Sequence, residues 1–356
     1  MTKLFEPIQL KHLTCPNRIV RSATNDRMGQ FDGTLTEDEI DQYRTLAENE
    51  VGLIISGHMF VSANGVASKW QNGINEDRFL PMLTKTADAI RPYAAKMIIQ
   101  INHAGLKAIP PYGGKGEPVS THNLCAAEIA ALENDYIDAA YRARQAGFDG
   151  VQVHCAHGYL LSQFVSPVSN HRSDQYGGNA DNRFRMPAEI IAGIKARCGE
   201  DFPIFVKITS NVEQNDEDYA ADLCRYCEIC KELGVEAVEL SRCDFKNFKG
   251  GVNPLFLERT VRIRKQVDIS LIFVGGLRSF PEMQQVLDRG IEMVSICRPF
   301  LSEPDLITKL KAGKKARCIA CNKCYYIYNT NGKRCVFHEK VFPNLIDPEF
   351  VLPSQE

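Results

Sequence analysis

The chain contains no apolar run near the roughly 20 residues that a membrane-spanning helix needs. Its longest, residues 51–56 (VGLIIS) and 271–275 (LIFVG), are far shorter. An excess of charge of one sign is also missing: 42 Lys and Arg stand against 44 Asp and Glu, a formal net charge of −2. Bulk charge therefore offers no hold for a nucleic acid or polyphosphate. The N-terminal MTKLFEPIQL lacks the basic start and apolar core of an export signal. There is no internal repeat and no low-complexity segment. These absences predict a soluble, cytoplasmic, globular protein with neither nucleic-acid nor membrane partners. What is present is ordinary for that class, 44% hydrophobic and 24% charged residues in 356. Such a chain buries roughly three quarters of its unfolded surface as one body.

Cysteine is the exception, with thirteen. An odd count without an export signal argues against a disulfide framework. Nine are scattered among apolar neighbours, where a cysteine is usually a small buried side chain. The other four, Cys318, Cys321, Cys324 and Cys335, cluster near the C-terminus.

Short β-like runs alternate with amphipathic stretches along the chain. The runs are residues 18–23, 51–57, 96–101, 150–154, 203–209, 237–241, 270–275 and 291–297. Between them the pattern predicts helices, among them 37–50, 135–146, 181–197 and 216–233, with a last one near 304–311. Thr36 followed by Glu39 reads as a capping box. Gly147, Gly234 and Gly290 stand where helices should end in the left-handed conformation. Strands apolar on both faces and separated by helices must be parallel. Eight such units predict a closed (β/α)8 TIM barrel, usually about 250 residues long. The rival is an open doubly wound sheet. Its G-x-G-x-x-G signature is absent after the first run, where RSATNDRMGQ stands. The predicted organisation is a barrel over residues 1–312 and a cysteine-containing extension over 313–356.

Ligand contacts in such barrels come from loops after the strands. Two are long, 106–120 after the third run and 164–178 after the fourth. His154, His157 and Tyr159 lie where the fourth run ends. Two imidazoles three positions apart can converge on one anionic oxygen, with the tyrosine as proton donor. As zinc ligands they would need a third partner that the local sequence does not offer. Gln100, ending the third run, can pair with the edge of a heterocycle. Lys207 is a lysine inside a buried strand and needs an anionic partner, either a ligand or a core carboxylate such as Glu239. After the last two runs, Gly275, Gly276, Cys297 and Arg298 form the kind of loop pair that binds phosphate in barrels.

RIVRSAT at 18–24, IQINHAG at 99–105, HGYLLSQFVSPVSNHRSDQYGG at 157–178 and CRPFLSEPDL at 297–306 resemble the old yellow enzyme family. The likeness runs in order from about residue 4 to residue 310. It implies an FMN-dependent oxidoreductase with FMN across the barrel mouth. Ser22, Ala23, Thr24 and Gly57 would face the flavin and Gln100 its pyrimidine edge. Lys207 would lie near the N1–C2 carbonyl, where a cation raises the reduction potential. Gly275, Gly276, Cys297 and Arg298 would hold the phosphate, and His154, His157 and Tyr159 the substrate. The implied reaction is NAD(P)H-driven reduction of the C=C bond of an α,β-unsaturated carbonyl compound, a small-molecule activity compatible with a homo-oligomer. Asn25 and Arg27 depart from residues common at those positions, which bears on substrate range.

The C-terminal CIACNKC followed by Cys335 resembles the 4Fe–4S segment of the 2,4-dienoyl-CoA reductase and trimethylamine dehydrogenase branch. Members of that branch carry further nucleotide-binding domains after the segment, whereas residues 336–356 follow it here. Zinc, with His338 as a spare ligand, or four reduced thiols are the alternatives at this point. Two other activities also stay open. One is an amine or enoyl-CoA-type dehydrogenase or reductase fed through an iron–sulfur cluster; the other is a non-catalytic, redox-sensing flavoprotein.

Overall fold

The computed structural model describes residues 3–109, 118–211, 216–242, 252, 254–325 and 332–335. Eight parallel strands close into a barrel. They are β1 (Ile19–Arg21), β2 (Leu53–Ile55), β3 (Lys96–Asn102), β4 (Gly150–Cys155), β5 (Ile204–Thr209), β6 (Ala237–Ser241), β7 (Ser270–Val274) and β8 (Met293–Ile296). Each pairs with its sequence neighbours; β8 pairs with β1, and β2 with β3, so the sheet has no seam. All eight predicted runs are strands of this barrel, and the predicted fold is the one observed.

Two sets of side chains alternate along the strands. Outward residues such as Ile19, Ile54, Ile99, Val153, Val206, Val238, Phe273 and Val294 pack under the surrounding helices. Inward residues form a second cluster of Val20, Leu53, Ile55, Ile98, Phe205, Ala237, Ile272 and Met293. This cluster also contains Ile8, Leu10, Leu13 and Cys15, from the small antiparallel pair Ile8–Gln9 and Thr14–Cys15. That ribbon plugs the N-terminal end of the barrel. Further along the strands the inward positions turn polar: Gln100, Gln152, His154, Lys207, Glu239, Ser241 and Ser295, all buried. The bottom of the barrel is thus apolar core, and its upper end is chemically equipped.

The helices largely follow the pattern. Glu37–Glu48, Ala180–Cys198, Asp216–Glu232 and Leu306–Lys311 match their expectations within a few residues. Ala126–Ala146 starts nine residues before the predicted 135, and Ile129 and Leu132 bury one face of those added turns in the core. Gly147, Gly234 and Gly290 take φ of 90°, 73° and 88°, the left-handed ends expected of them. The capping box is only half formed. Thr36 accepts from the Glu39 amide, but the Glu39 carboxylate turns inward to Asn72 and Tyr43.

The most distinctive stretch of sequence proves to be a structural staple. Asn170 donates to the carbonyls of Phe164 and Tyr176, both at 2.7 Å, closing the long loop after β4 on itself. Arg172 pairs with Asp174 and reaches the carbonyl of Leu124 at 2.9 Å. Among the described residues no helix is long and apolar enough to cross a membrane.

Candidate functional site

At the C-terminal ends of the strands a cavity of about 960 Å³ opens to solvent. Its walls bring together eight residues singled out in the sequence: Ser22, Ala23, His157, Lys207, Gly275, Gly276, Cys297 and Arg298. Gly275 lets the loop after β7 pass the Phe256 ring, since a Cβ there would meet it at 3.1 Å. Gly276, with φ of 72°, turns that loop over the cavity. Arg298 faces it from the opposite loop, and Arg278 adds a second guanidinium that residue-type reasoning had not assigned. Glycines that expose backbone N–H groups, with arginines beside them, suit a phosphate.

The remaining predicted cofactor residues sit next to this cavity. Thr24 Oγ1 lies 3.0 Å from Cys297 Sγ. Gly57 has both backbone groups engaged: its N–H donates to Tyr43 Oη at 3.0 Å and its carbonyl accepts from Ser56 Oγ at 2.8 Å. What requires glycine there is the approach of the β1 loop, because a Cβ would meet the Thr24 carbonyl at 2.8 Å. Gln100 lies in the polar layer beneath and donates to Gln152 Oε1 at 2.7 Å.

Glu239 is the hub of that layer. It accepts from Ser22 Oγ (2.7 Å), Ser295 Oγ (2.8 Å) and Gln152 Nε2 (2.9 Å), and pairs with Lys207 Nζ at 3.2 Å. Burial opposes its charge, but Lys207 and these donors outweigh burial and hold its pKa below the ordinary value. The core-carboxylate reading of Lys207 therefore holds. The same ammonium also donates to Ser22 at 2.9 Å and forms part of the cavity wall.

At the cavity edge, His157 meets His154 with ring centroids 5.2 Å apart, nearly edge to face. His157 is held in an unusual backbone conformation (φ 64°) while its amide donates to Thr209 Oγ1 at 2.8 Å and its Nε2 meets Ser241 Oγ at 2.9 Å. His154 Nδ1 is buried without a hydrogen-bond partner among the described residues. Burial, reinforced by neighbouring cations, pushes both imidazoles well below the ordinary histidine range, so they are neutral. Tyr159 lies 5.4 Å from His154, and burial raises its pKa to about 12, which keeps the phenol protonated. His58, not singled out in the sequence, completes the group at 5.2 Å from Tyr159 and 6.2 Å from His154. The available signal was a polar residue directly after the glycine that ends the second strand-like run (IISGH), level with the ends of its neighbours.

Cys318, Cys321, Cys324 and Cys335 line a second cavity with Leu301, Ile319, Asn322 and Arg298. Arg298 and Cys318 belong to both cavities, and Arg298 Nη1 donates to Asn322 Oδ1 at 2.5 Å. Burial raises the Cys324 thiol to about 12 and moves Cys318 in the same direction. Among the described residues no three His, Cys, Asp or Glu side chains gather closely enough to hold a single metal ion. His338 lies outside the described residues. Cys224, Cys227 and Cys230 repeat the same spacing on Asp216–Glu232, but they are buried core with pKa values raised by burial.

The profile of the NADH:flavin oxidoreductase / NADH oxidase family matches residues 3–317. The chain is 32% identical to an NADPH dehydrogenase of Bacillus subtilis, over 85% of this chain and 92% of that protein. It is 30% identical to an NADH oxidase of Thermoanaerobacter brockii over 90% of its own length, but spans only 52% of that longer protein. In three dimensions it is similar to the old yellow enzyme homologue of Zymomonas mobilis, with a TM-score of 0.78 and 26% identity, covering 92% of this chain and 99% of that one. With the barrel and its equipped mouth already in place, the chain belongs to the NADH:flavin oxidoreductase / NADH oxidase family, the old yellow enzyme family.

Proposed function

We propose that the chain binds FMN in the 960 Å³ cavity and uses NAD(P)H to reduce the C=C bond of α,β-unsaturated carbonyl compounds. The observation that carries this reading is that His157 belongs both to the wall of that cavity and to the ring cluster at its edge. A cofactor bound in the first is therefore in reach of a substrate bound in the second. Gly275, Gly276, Arg298 and Cys297 would hold the phosphate, and Lys207, Ser22, Ala23, Thr24, Gly57 and Gln100 would serve the flavin ring. FMN supplies the hydride acceptor and donor that link nicotinamide to alkene. The chain's own residues bind and protonate. His154 and His157, neutral donors in a buried site, hold the carbonyl oxygen and stabilise the negative charge that develops on it. Tyr159, protonated at any ordinary pH, gives its proton to the α-carbon.

The test is anaerobic and has two halves. NADPH should bleach the yellow protein, and cyclohexenone should then restore the colour. Restoration by oxygen but not by any enone would overturn the alkene-reductase reading in favour of a redox-sensing flavoprotein.

A second assignment follows from the second cavity. We infer that the four C-terminal cysteines hold a 4Fe–4S cluster rather than zinc. They share one cavity, and CIACNKC followed by Cys335 has the spacing of cubane-binding cysteines. In this reading residues 1–312 are the FMN barrel of a cytoplasmic enzyme and 313–356 its cluster-bearing extension. Iron and acid-labile sulfide in equal amounts in anaerobically purified protein are the expected result. Stoichiometric zinc without iron would overturn it.

A further inference from the structure

We propose that His58 is a third hydrogen-bond donor to the substrate oxyanion, its tautomer fixed by the side-chain amide of Gln71. The proposal rests on the reading that His154, His157 and Tyr159 receive the substrate oxygen.

The orientation of Gln71 is settled by the main chain. Its Oε1 accepts from the Ala67 amide at 2.7 Å, and its Nε2 donates to the carbonyl of His58 at 3.0 Å. Neither backbone group can reverse its role, so the side-chain amide cannot be flipped. The same Nε2 lies 2.9 Å from His58 Nδ1 and presents a hydrogen to it. Nδ1 must therefore be the acceptor. Asn102 Nδ2 lies 3.3 Å from the same nitrogen. A neutral imidazole that accepts at Nδ1 carries its proton on Nε2. Adding a second proton would set N–H against N–H, so this contact itself opposes the cation. Burial and the charges of Lys333 and Lys207 act in the same direction and lower the pKa of His58 to about 3.

His58 is thus a fixed Nε2–H donor, and Nε2 meets no acceptor among the described residues. The ring is one corner of a triangle with sides of 5.2, 5.4 and 6.2 Å, whose other corners are Tyr159 and His154. His154 Nδ1 is likewise unpartnered there. Two imidazoles and a phenol, each with polar capacity not spent on the protein, lie against one another beside the cavity that His157 lines. A substrate oxygen bound at this cluster would receive donors that carry no charge of their own, and their pull grows as that oxygen becomes negative. His58 is then a determinant of how tightly an oxyanion is held, with Gln71 as its positioning residue.

The experiment uses the flavin-loaded protein and the phenolate of 4-hydroxybenzaldehyde as a stable oxyanion, with binding followed by long-wavelength absorbance and by calorimetry. His58→Phe keeps the ring and removes both nitrogens; phenolate affinity should fall roughly 10- to 100-fold, the effect of one hydrogen bond to a charged group. His58→Gln, whose amide nitrogen can stand in for Nε2, should recover most of that loss, and His58→Asn should not. Flavin affinity should stay within about twofold throughout. Unchanged phenolate affinity in His58→Phe, with a clear loss in His154→Ala, would overturn the role of His58 alone. No loss in either would overturn the oxyanion reading beneath it. If the variants do not fold, nitrogen NMR of histidine-labelled wild-type protein decides the matter. Every histidine Nε2 signal left unmoved by phenolate, or a His58 signal protonated at Nδ1, refutes the proposal. A protonated Nε2 coupled to an unprotonated Nδ1, shifting on phenolate addition, supports it.

Discussion

Glu39→Gln should stabilise the protein at alkaline pH and lose that advantage in acid. Glu39 is fully buried behind the β2 loop, where its carboxylate accepts from Asn72 Nδ2 at 2.7 Å and from Tyr43 Oη at 3.0 Å. Tyr43 in turn receives the amide of Gly57, the residue before His58. Burial, and then repulsion from Asp26, raise the carboxyl to about 7 from its ordinary 4.5. A raised carboxyl favours the folded state fully below the unfolded value. That contribution disappears as pH climbs through the folded value and stays lost above it. A gap of about 2.5 units at ~1.36 kcal/mol each makes the ionised group cost about 3 kcal/mol at pH 8.5 relative to pH 4.5. Glutamine removes the charge, and Asn72, whose Oδ1 is buried without a partner, can rotate to accept from the new amide. Urea unfolding of both proteins at the two pH values, with flavin saturating, isolates Glu39 as a double difference. The variant should gain about 3 kcal/mol on the wild type between pH 4.5 and 8.5. An offset that is the same at both pH values would refute the reasoning.

Arg298→Ala should weaken FMN binding by roughly 10- to 100-fold, one charge-assisted contact, as read by flavin fluorescence on dilution; retention of full affinity would remove Arg298 from the phosphate. Tyr159→Phe should leave reduction by NADPH nearly unchanged and slow reoxidation by an enone about 100- to 10,000-fold; stopped-flow traces slowed equally in both halves, or in neither, would remove the tyrosine from the proton-donor role. Cys321→Ser should abolish bound iron while the flavin spectrum persists, and iron retained at wild-type level would contradict the cluster assignment.

The barrel was legible because strand burial on two faces leaves a plain record. Outward Val, Ile and Phe alternate with inward residues, and glycines close the helices at 147, 234 and 290. The polar inward residues were legible for the same reason: Lys207 within PIFVKIT is conspicuous in an apolar run. Other features had no comparable local signature. The ribbon that plugs the barrel consists of two-residue strands, too short for any period to show. Glu39 looked like the third residue of a capping box, and only the fold reveals that Asn72, 33 positions away, draws its carboxylate inward. His58 depends on Gln71 across a loop and on Asn102 from another strand, so neither its tautomer nor its direction could be read from IISGH. Residues positioned by their own strand announce themselves; residues positioned by a distant amide do not.

Arg298 joins the two proposed sites physically. It lines the larger cavity, forms part of the wall of the cysteine cavity and is tied to Asn322, between Cys321 and Cys324. Cys318 lines both spaces as well. Groups bound in the two cavities therefore share the same guanidinium. If phosphate holds Arg298 on one side, Asn322 is drawn with it and the loop between the cysteines is set; if the cysteine loop unravels, the guanidinium loses its anchor. The two occupants should consequently bind with positive coupling, and by linkage the effect is reciprocal. Protein stripped of iron should bind FMN more weakly, and protein stripped of FMN should lose iron faster to a chelator. Arg298→Lys, which keeps the charge but cannot fork between two partners, should preserve much of the phosphate affinity while abolishing the coupling. FMN affinities that are equal with and without iron in the wild type would show that the shared arginine transmits nothing.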